Sequence, residues 1–386
     1  MELKECRERL DAIDREIVDL FEKRMDICEK VAEDKIRTGK KIFDNERERA
    51  KLEAVKGFAS DDFRRHGVEE LFMQLMSMSR KLQYGILEQS GVKGRVPFIP
   101  VEELELSGAT VVYQGTEGAY SQQAMQAFFG KEVRNFNVST FREAMLAIYE
   151  GNADFGVLPI ENSSAGIVSE NYDLLVDFEN YIVAEQIIDI DHCLLGLKGA
   201  RQEDIKRIYS HEQALRQCSE YLAGRKDVET FSYPNTAMAA RKILEDGDMS
   251  AAAIAGRPAA EAYGLEILKS SINFSNRNST RFIIVTNQKI YKKNANKISM
   301  CFEIPHESGS LYRILSNFIY NDINMNRIES RPLPDRPWEY RFFIDIDGNL
   351  SEPGVKNALR GIREETKNMK ILGCYYSKKP GEDKDR

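Results

Sequence analysis

Apolar residues at the start of the chain recur in alternating three- and four-residue steps: Leu3, Cys6, Leu10, Ile13, Ile17 and Leu20, then Ile27 and Val31. That spacing keeps one stripe of a helix apolar and is the pattern of a coiled-coil seam, so residues 2–37 read as one long helix. Thr38-Gly39 interrupts it. A second helix is expected from about Asn45 to Phe58 and a third from about Gly67 to Glu88, its apolar face including Leu71, Phe72, Leu75, Met76 and Leu82. Residues 1–90 thus form an all-helical unit. Residues 91–108, with Gly91, Gly94, Pro97, Pro100 and an acidic patch, read as a linker.

From Ala109 the period changes. ATVVYQG, DFGVLPI, CLLGL, IKRIYS, SAAAIAG and RFIIVT are strand candidates, with helical stretches around 121–129, 141–150, 212–223 and 236–245 between them. Residues 109–287 are therefore an α/β domain with a parallel or mixed sheet covered by helices. A third unit, 296–377, orders its elements βαββαβ, the ferredoxin-like α+β arrangement, and 378–386 is a polar tail.

Composition narrows the class. The 386 residues are 42% apolar and 30% charged, enough for two or three packed units. No apolar run approaches the twenty or so residues that span a bilayer, and the first residues lack the basic start and apolar core of a signal peptide, so a cytoplasmic enzyme or binding protein is expected. A net charge of -7 argues against non-specific nucleic-acid binding. The six cysteines are far apart with no CxxC pair, and none of the four histidines is at ligand spacing, so no metal, cofactor, disulfide framework or thiolate is expected. Chemistry without imidazole follows.

In the helical unit the seam requires an apolar residue at position 24 and has Arg24. A buried Arg is costly without an anion. Lys35, eleven residues on, lies about 20° around the helix from Arg24 and about 16 Å along it, so a small dianion fits between them. Arg7 is about 25 Å from Arg24 along the helix and about a quarter turn away, so it serves the same ligand only from a second chain; otherwise it is a surface charge and Arg24 snorkels. Asp44, Arg47 and Glu48, and likewise Ser79 and Gln83, are spaced as helix neighbours, ordinary surface chemistry if taken alone. Together these residues resemble the ligand set of the all-helical chorismate mutase family. The resemblance implies an intertwined helical homodimer in which Arg7 of a partner chain and Arg24 hold carboxylates, supported by Ser79 and Arg47. Lys35 and Gln83 would then donate to the ether oxygen that breaks, and Asp44 and Glu48 would take the ring hydroxyl. Such a rearrangement needs positioning and electrostatics, not a nucleophile.

In the α/β unit, polar clusters fall where strands end and helices begin. Tyr113-Gln-Gly-Thr-Glu-Gly-Ala-Tyr120-Ser121 places Ser121 to cap a helix; Pro159-Ile-Glu161-Asn162-Ser163-Ser164-Ala-Gly166 closes a strand. Ser210-His-Glu-Gln213 fits a capping box with Gln217 one turn on, and Asn235-Thr236 caps another helix. Each is explicable structurally, yet together they aim donors at one crevice suited to an anion. With Asn278-Ser279-Thr280-Arg281-Phe282 these segments resemble prephenate dehydratase, a two-lobed α/β enzyme. The resemblance implies Thr280 as the catalytic donor to the departing hydroxyl and Glu161, Asn162, Ser163, Ser210 and Gln217 around prephenate. Glu212, where the family usually has proline, and Arg257 depart from the pattern.

The last unit carries Glu307-Ser-Gly309-Ser310-Leu311-Tyr312 at a strand-to-helix turn and Glu329-Ser330-Arg331-Pro332 on the next strand. These resemble the ligand loops of a phenylalanine-binding ACT domain, or else are a loop glycine and a strand end without a ligand. The whole chain resembles the bifunctional chorismate mutase/prephenate dehydratases. That implies conversion of chorismate to prephenate and then phenylpyruvate, with feedback inhibition by L-phenylalanine and a homodimer or higher homo-oligomer. Two rivals are a dehydratase whose helical unit only dimerises, and an amino-acid-responsive binding protein with vestigial sites.

Overall fold

The computed structural model describes residues 2–90, 97–274, 278–304, 306–333 and 336–378. The N-terminal helices are α1 (Leu3–Thr38), α2 (Asn45–Lys56) and α3 (Asp62–Gln89). At 36 residues α1 is about 54 Å long. It stops at Gly39, whose left-handed backbone lets the following amides close on Ile36 and Lys35 carbonyls. The Asp44 carboxylate caps α2 by accepting from Arg47 N at 3.1 Å. The third helix begins five residues before the expected start.

The α/β segment runs β1 (Ile99–Val101), β2 (Thr110–Gln114), α4 (Tyr120–Phe129), β3 (Arg134–Val138), α5 (Phe141–Tyr149), β4 (Phe155–Asn162), β5 (Gly166–Ile167), α6 (Ser169–Asp177) and β6 (Tyr181–Asp189). It continues β7 (Cys193–Gly196), β8 (Arg207–Ser210), α7 (Glu212–Gln217), α8 (Ser219–Ala223), β9 (Glu229–Ser232), α9 (Thr236–Asp246), β10 (Ala251–Ala255), α10 (Arg257–Tyr263), β11 (Glu266–Lys269), β12 (Ser279–Thr286) and β13 (Ile290–Lys292). The C-terminal segment is β14 (Lys297–Glu303), α11 (Ser310–Ile319), β15 (Met325–Leu333), β16 (Arg336–Asp347), α12 (Pro353–Glu365) and β17 (Lys367–Tyr375), with its strands in the order β15-β16-β14-β17.

By contacts the chain makes two compact units, where the sequence suggests three modules. One joins the N-terminal helices to Phe302–Phe342 and Ile346–Met369; the other runs from Pro97 to Cys301 and adds Phe343–Asp345 and the chain from Lys370. In the first unit α12 packs on α3 and on α11. The seam of α1 is left uncovered: Leu3, Leu10, Ile13, Ile17, Leu20 and Ile27 are each more than half exposed.

The second unit has two lobes. In one, strands run β6-β12-β4-β2-β3, parallel at β3-β2-β4 and antiparallel where β12 joins β4 and β6, with buried Val112, Leu158, Ile160, Leu175, Ile283 and Val285 on one face. On the other lie Val111, Tyr113, Met125, Val157 and Ile284. Strand β17 approaches β6 at Gly373, paired with Ile182, where a Cβ would stand 2.2 Å from the Ile182 carbonyl oxygen. Only glycine fits there. The other lobe is the mixed sheet β11-β7-β10-β8-β9 with α9 and α10 against it. The chain passes between lobes at Asp191-His192 and returns before Asn278, and the two passages are tied by Ile190 N to Asn278 O at 2.8 Å and Ile272 N to His192 O at 2.9 Å.

Several local expectations change. Residues 91–96 lie outside the described residues, but the remainder of the expected linker is folded: Phe98 is buried and β1 pairs in parallel with β13. Ser121 does not cap α4, which starts one residue earlier with Ala119 at the cap position and no side-chain bond. The capping box at Ser210 is not formed either. His211 caps α7, its Nδ1 3.3 Å from Gln213 N, because Ser210 is still in the strand and donates to Ile254 O at 2.6 Å. Asn235 does cap α9, accepting from Met238 N at 2.7 Å.

Candidate active sites

In the helical unit Arg24 turns from α1 towards α3, donating to Leu75 O at 3.0 Å and to the Ser79 hydroxyl. Ser79 is buried and donates to the same carbonyl at 2.6 Å. Lys35 Nζ donates to Ile42 O at 2.5 Å. Burial and the neighbouring Arg47 charge hold the Lys35 pKa below that of an ordinary lysine, against the opposing pull of Asp44 and Glu48. Gln83 is buried, and its Oε1 has no partner among the described residues. Arg24 and Ser79 are therefore in contact, and Lys35 lies within electrostatic reach of Asp44, Arg47 and Glu48. Arg7, exposed near the start of α1, is not brought to them by its own chain.

Sequence reasoning passed over Arg80. It pairs with Glu48 through Nη1 and with Glu365 of α12 through Nη2 at 2.8 Å, and the whole triad is largely buried. Burial pushes the Glu365 carboxyl up, against the pull of Arg80. Glu48 is thus already held by a cation before any ligand arrives. No spacing rule reveals this, since Glu365 is 285 residues away from Arg80.

In the α/β unit the antiparallel register pairs Asn162, at the end of β4, with Thr280, at the start of β12. Side chains opposite one another share a face. Asn162 Oδ1 accepts the backbone amides of Ser164 at 3.1 Å and Ala165 at 2.9 Å. Those fixed donors orient the amide, so its Nδ2 donates to Thr280 Oγ1 and to Asn278 Oδ1, each at 2.9 Å. Thr280 is an acceptor in that bond, and its own hydrogen has no recipient among the described residues. Asn278 is buried, and its Nδ2 has no partner among the described residues. From α7 of the other lobe, Gln217 Nε2 reaches Ser164 Oγ at 2.6 Å and Gln213 Nε2 reaches Asn162 Oδ1 at 3.4 Å.

Three expected members stand apart from this cluster. Glu161 precedes Asn162 on the strand and so projects to the opposite face, where it meets Arg281 at 3.1 Å; Arg281 also faces Glu185 at 3.3 Å and Asp345 at 3.4 Å. Ser163 Oγ accepts from Ser279 N at 2.9 Å and holds the strand ends together. Ser210 is fully buried and ties β8 to β10. Ser164, Asn278, Gln213 and Tyr120 were visible in the motifs without being singled out, whereas His192, 2.9 Å from Gln217 and 3.1 Å from the Tyr120 hydroxyl, joins the cluster only through the fold. Of the departures, Glu212 is exposed beside Arg216 at 3.5 Å, and Arg257 lies 3.3 Å from Asp191.

A pocket of about 210 Å³ in the C-terminal segment is lined by Gly309, Ser310 and Leu311 with Trp338, Tyr340 and Phe342. Gly309 has a φ of 75°, a conformation that favours glycine, and starts α11. The other expected ligand residues, Glu329, Ser330, Arg331 and Pro332, lie on β15 and do not line it. No group of acidic, histidine or cysteine side chains among the described residues could hold a metal ion.

A family model of chorismate mutase type II matches residues 6–84, and one of prephenate dehydratase matches residues 111–290. The bifunctional chorismate mutase/prephenate dehydratase of Aquifex aeolicus (strain VF5) is 31% identical over 376 residues, which is 97% of this chain and 98% of that relative. Among solved structures, the prephenate dehydratase of Arthrobacter aurescens in complex with L-Phe is 29% identical with a TM-score of 0.65, covering 69% of this chain and 90% of its own. The quorum-quenching acylase GqqA has a TM-score of 0.63 at 28% identity, covering 70% of this chain and 98% of its own. One fold thus serves enzymes of different description, so roles must be argued from the residues.

Proposed function

The chain belongs to the bifunctional chorismate mutase/prephenate dehydratase family and has both activities, and from that premise we propose which of its residues do the work and how phenylalanine restrains them. In the mutase reaction Arg24, with Ser79 and Arg47, holds a carboxylate of chorismate, and Arg7 of a second copy holds the other. Lys35 and Gln83 stabilise the ether oxygen as its bond breaks, and Asp44 and Glu48 face the ring hydroxyl. Fixed charges in a half-buried site stabilise developing charge better than water, which must reorganise. The uncovered α1 stripe supports a homodimer, because burying a Leu or Ile side chain is worth about 1.5–3 kcal/mol.

In the dehydratase reaction the electrons of the breaking C–CO2 bond enter the ring as the C–O bond breaks. Carbon dioxide and hydroxide leave together and phenylpyruvate remains. Thr280 donates its hydrogen to the departing hydroxyl, and Asn162 and Gln217 set the site around it. The observation that carries this is the bond from Asn162 Nδ2 to Thr280 Oγ1: it leaves the threonine hydrogen available and makes the hydroxyl a better donor. Asn278 Nδ2 beside it, without a partner among the described residues, supports an anionic substrate. Glu161 acts from the opposite face through Arg281, and Ser163 and Ser210 shape the site by holding strands.

The C-terminal βαββαβ segment is read as an ACT domain that takes L-phenylalanine, its carboxylate at the start of α11 and its ring among Trp338, Tyr340 and Phe342. Support comes from the aromatic lining and from the L-Phe complex of the Arthrobacter relative. Glu329, Ser330, Arg331 and Pro332 would join from a second copy of the chain. The reading places the protein in the cytoplasm; among the described residues no helix is long and apolar enough to cross a membrane. A time course from chorismate, with and without phenylalanine, following chorismate, prephenate and phenylpyruvate separately, tests it. Both conversions are expected to slow with phenylalanine; rates that phenylalanine leaves unchanged would refute the regulatory part.

A further inference from the structure

The hydrogen bonds around Asn162 determine more than the state of Thr280. The Ser164 hydroxyl stands 2.8 Å from Asn162 Oδ1, whose orientation is set by backbone amides. Its single hydrogen therefore goes to an amide oxygen, and Ser164 must accept from Gln217, whose Nε2 is 2.6 Å away. That turns Gln217 Oε1 to His192 Nε2 at 2.9 Å, so the histidine must carry a hydrogen on Nε2. The remaining nitrogen, Nδ1, is 3.1 Å from the Tyr120 hydroxyl.

The Tyr120 hydroxyl faces two acceptors at 3.1 Å, the Asp191 carbonyl and His192 Nδ1. From the ring onward every donor points the same way: His192 gives to Gln217, Gln217 to Ser164, Ser164 to Asn162, with Asn278 Oδ1 a second acceptor at 3.2 Å, and Asn162 to Thr280. We propose that His192 is a positioning residue for the dehydratase reaction: as the neutral Nε2–H ring, it fixes the Gln217 amide and so keeps the donor chain directed at Thr280. The proposal rests on the reading of Gln217 and Thr280 as site residues. Aligned bonds polarise one another, so the chain strengthens the last donor in it.

The surroundings favour this ring state. His192 is buried at the first passage between lobes, and burial lowers its pKa. Its backbone is held on both sides, N to Asn273 Oδ1 at 3.1 Å and O to Ile272 N at 2.9 Å. The imidazole cannot follow a rotating Gln217 amide, and the amide cannot turn without facing its own N–H2 to a ring N–H.

The test uses full-length wild type, His192→Phe, His192→Gln, Gln217→Leu and the double variant His192→Phe/Gln217→Leu, with prephenate and chorismate turnover measured on the same preparations. His192→Phe is expected to lower kcat on prephenate about 5- to 10-fold, the worth of one orienting hydrogen bond, with a smaller change in KM. His192→Gln, which still presents an N–H, regains most of that loss. In the Gln217→Leu background the histidine change adds under about twofold. Chorismate turnover is unchanged throughout. A normal kcat in His192→Phe, an equal loss in both backgrounds, or a His192→Gln as impaired as His192→Phe would overturn the proposal. A normal Gln217→Leu would instead refute the assignment of Gln217 on which it stands. Should His192→Phe not fold, nitrogen NMR of histidine-labelled wild type decides: a neutral ring protonated on Nε2 supports the proposal, and one protonated on Nδ1 rejects it.

Discussion

The two active sites of this chain are built from opposite materials. The proposed mutase site draws full charges from two helices, Arg24 and Lys35 on α1 and Arg47 and Glu48 on α2, all half-buried or exposed, beside the neutral Ser79 and Gln83 of α3, with Arg7 far along α1 beside an uncovered apolar stripe. The proposed dehydratase site consists of neutral amides and hydroxyls, Asn162, Gln217, Asn278 and Thr280, buried where the chain crosses between two lobes. Charges act over several ångströms, so they need not touch one another before a ligand arrives. Neutral donors act only at contact, so they must be assembled within one rigid unit.

Removing the last donor of the buried chain gives the largest expected effect. Thr280→Val keeps the β-branched shape of the strand residue and deletes only the hydroxyl. Phenylpyruvate formation from prephenate is expected to fall by about a hundredfold to ten-thousandfold, the usual span for a donor acting in the transition state. Chorismate consumption by the same preparation is expected to stay at the wild-type rate. A Thr280→Val protein with more than about a tenth of wild-type dehydratase activity would move the role to another group.

Legibility followed the same division. Arg24 stands out in the sequence because a charge interrupts an apolar period, and helix spacing then relates Lys35 to it; Asp44 and Glu48, at the start of a second helix, join them only through the family resemblance. Asn162 and Thr280 announce themselves only as motif members; their pairing needs the register of β4 against β12. Glu161 shows the limit, since one step along a strand reverses the face. Strand β6 escaped notice because Glu185, in its middle, is polar yet buried against Arg281 and Lys297. Strand β9 is exposed at every residue and offers no alternation to read. Arg80 has its second partner in α12, and no local pattern can supply that.

The proposed sharing of the mutase site between two copies can be tested directly. Arg24→Ala and Arg7→Ala are each expected to lower mutase kcat/KM by about a hundredfold, as loss of a charged contact to a carboxylate implies, with dehydratase turnover unchanged. If Arg7 serves the site of a second copy, mixed dimers of the two variants contain one intact site and one doubly damaged site. Random assortment makes half the dimers mixed, so co-expression recovers about a quarter of wild-type mutase activity. Recovery no greater than the average of the separate variants would place Arg7 outside the partner's site.

The smallest effect is in pH dependence, where charged and neutral sites should diverge without any change in fold. Burial and Arg47 lower the Lys35 pKa, so its ammonium loses the proton earlier on the alkaline side than an ordinary lysine. Mutase kcat/KM should therefore decline on the alkaline side, at a lower pH than an ordinary lysine would produce, because the charge proposed to face the ether oxygen disappears. Lys35→Arg, which does not titrate in this range, is expected to be slower at neutral pH and to lose the decline. Dehydratase turnover should remain flat over the same interval: its donors are uncharged, and His192 is already neutral there because burial lowers its pKa. An alkaline decline that persists in Lys35→Arg would assign the titration to a different group, while a parallel decline in the dehydratase would mean that its site, too, depends on a charge.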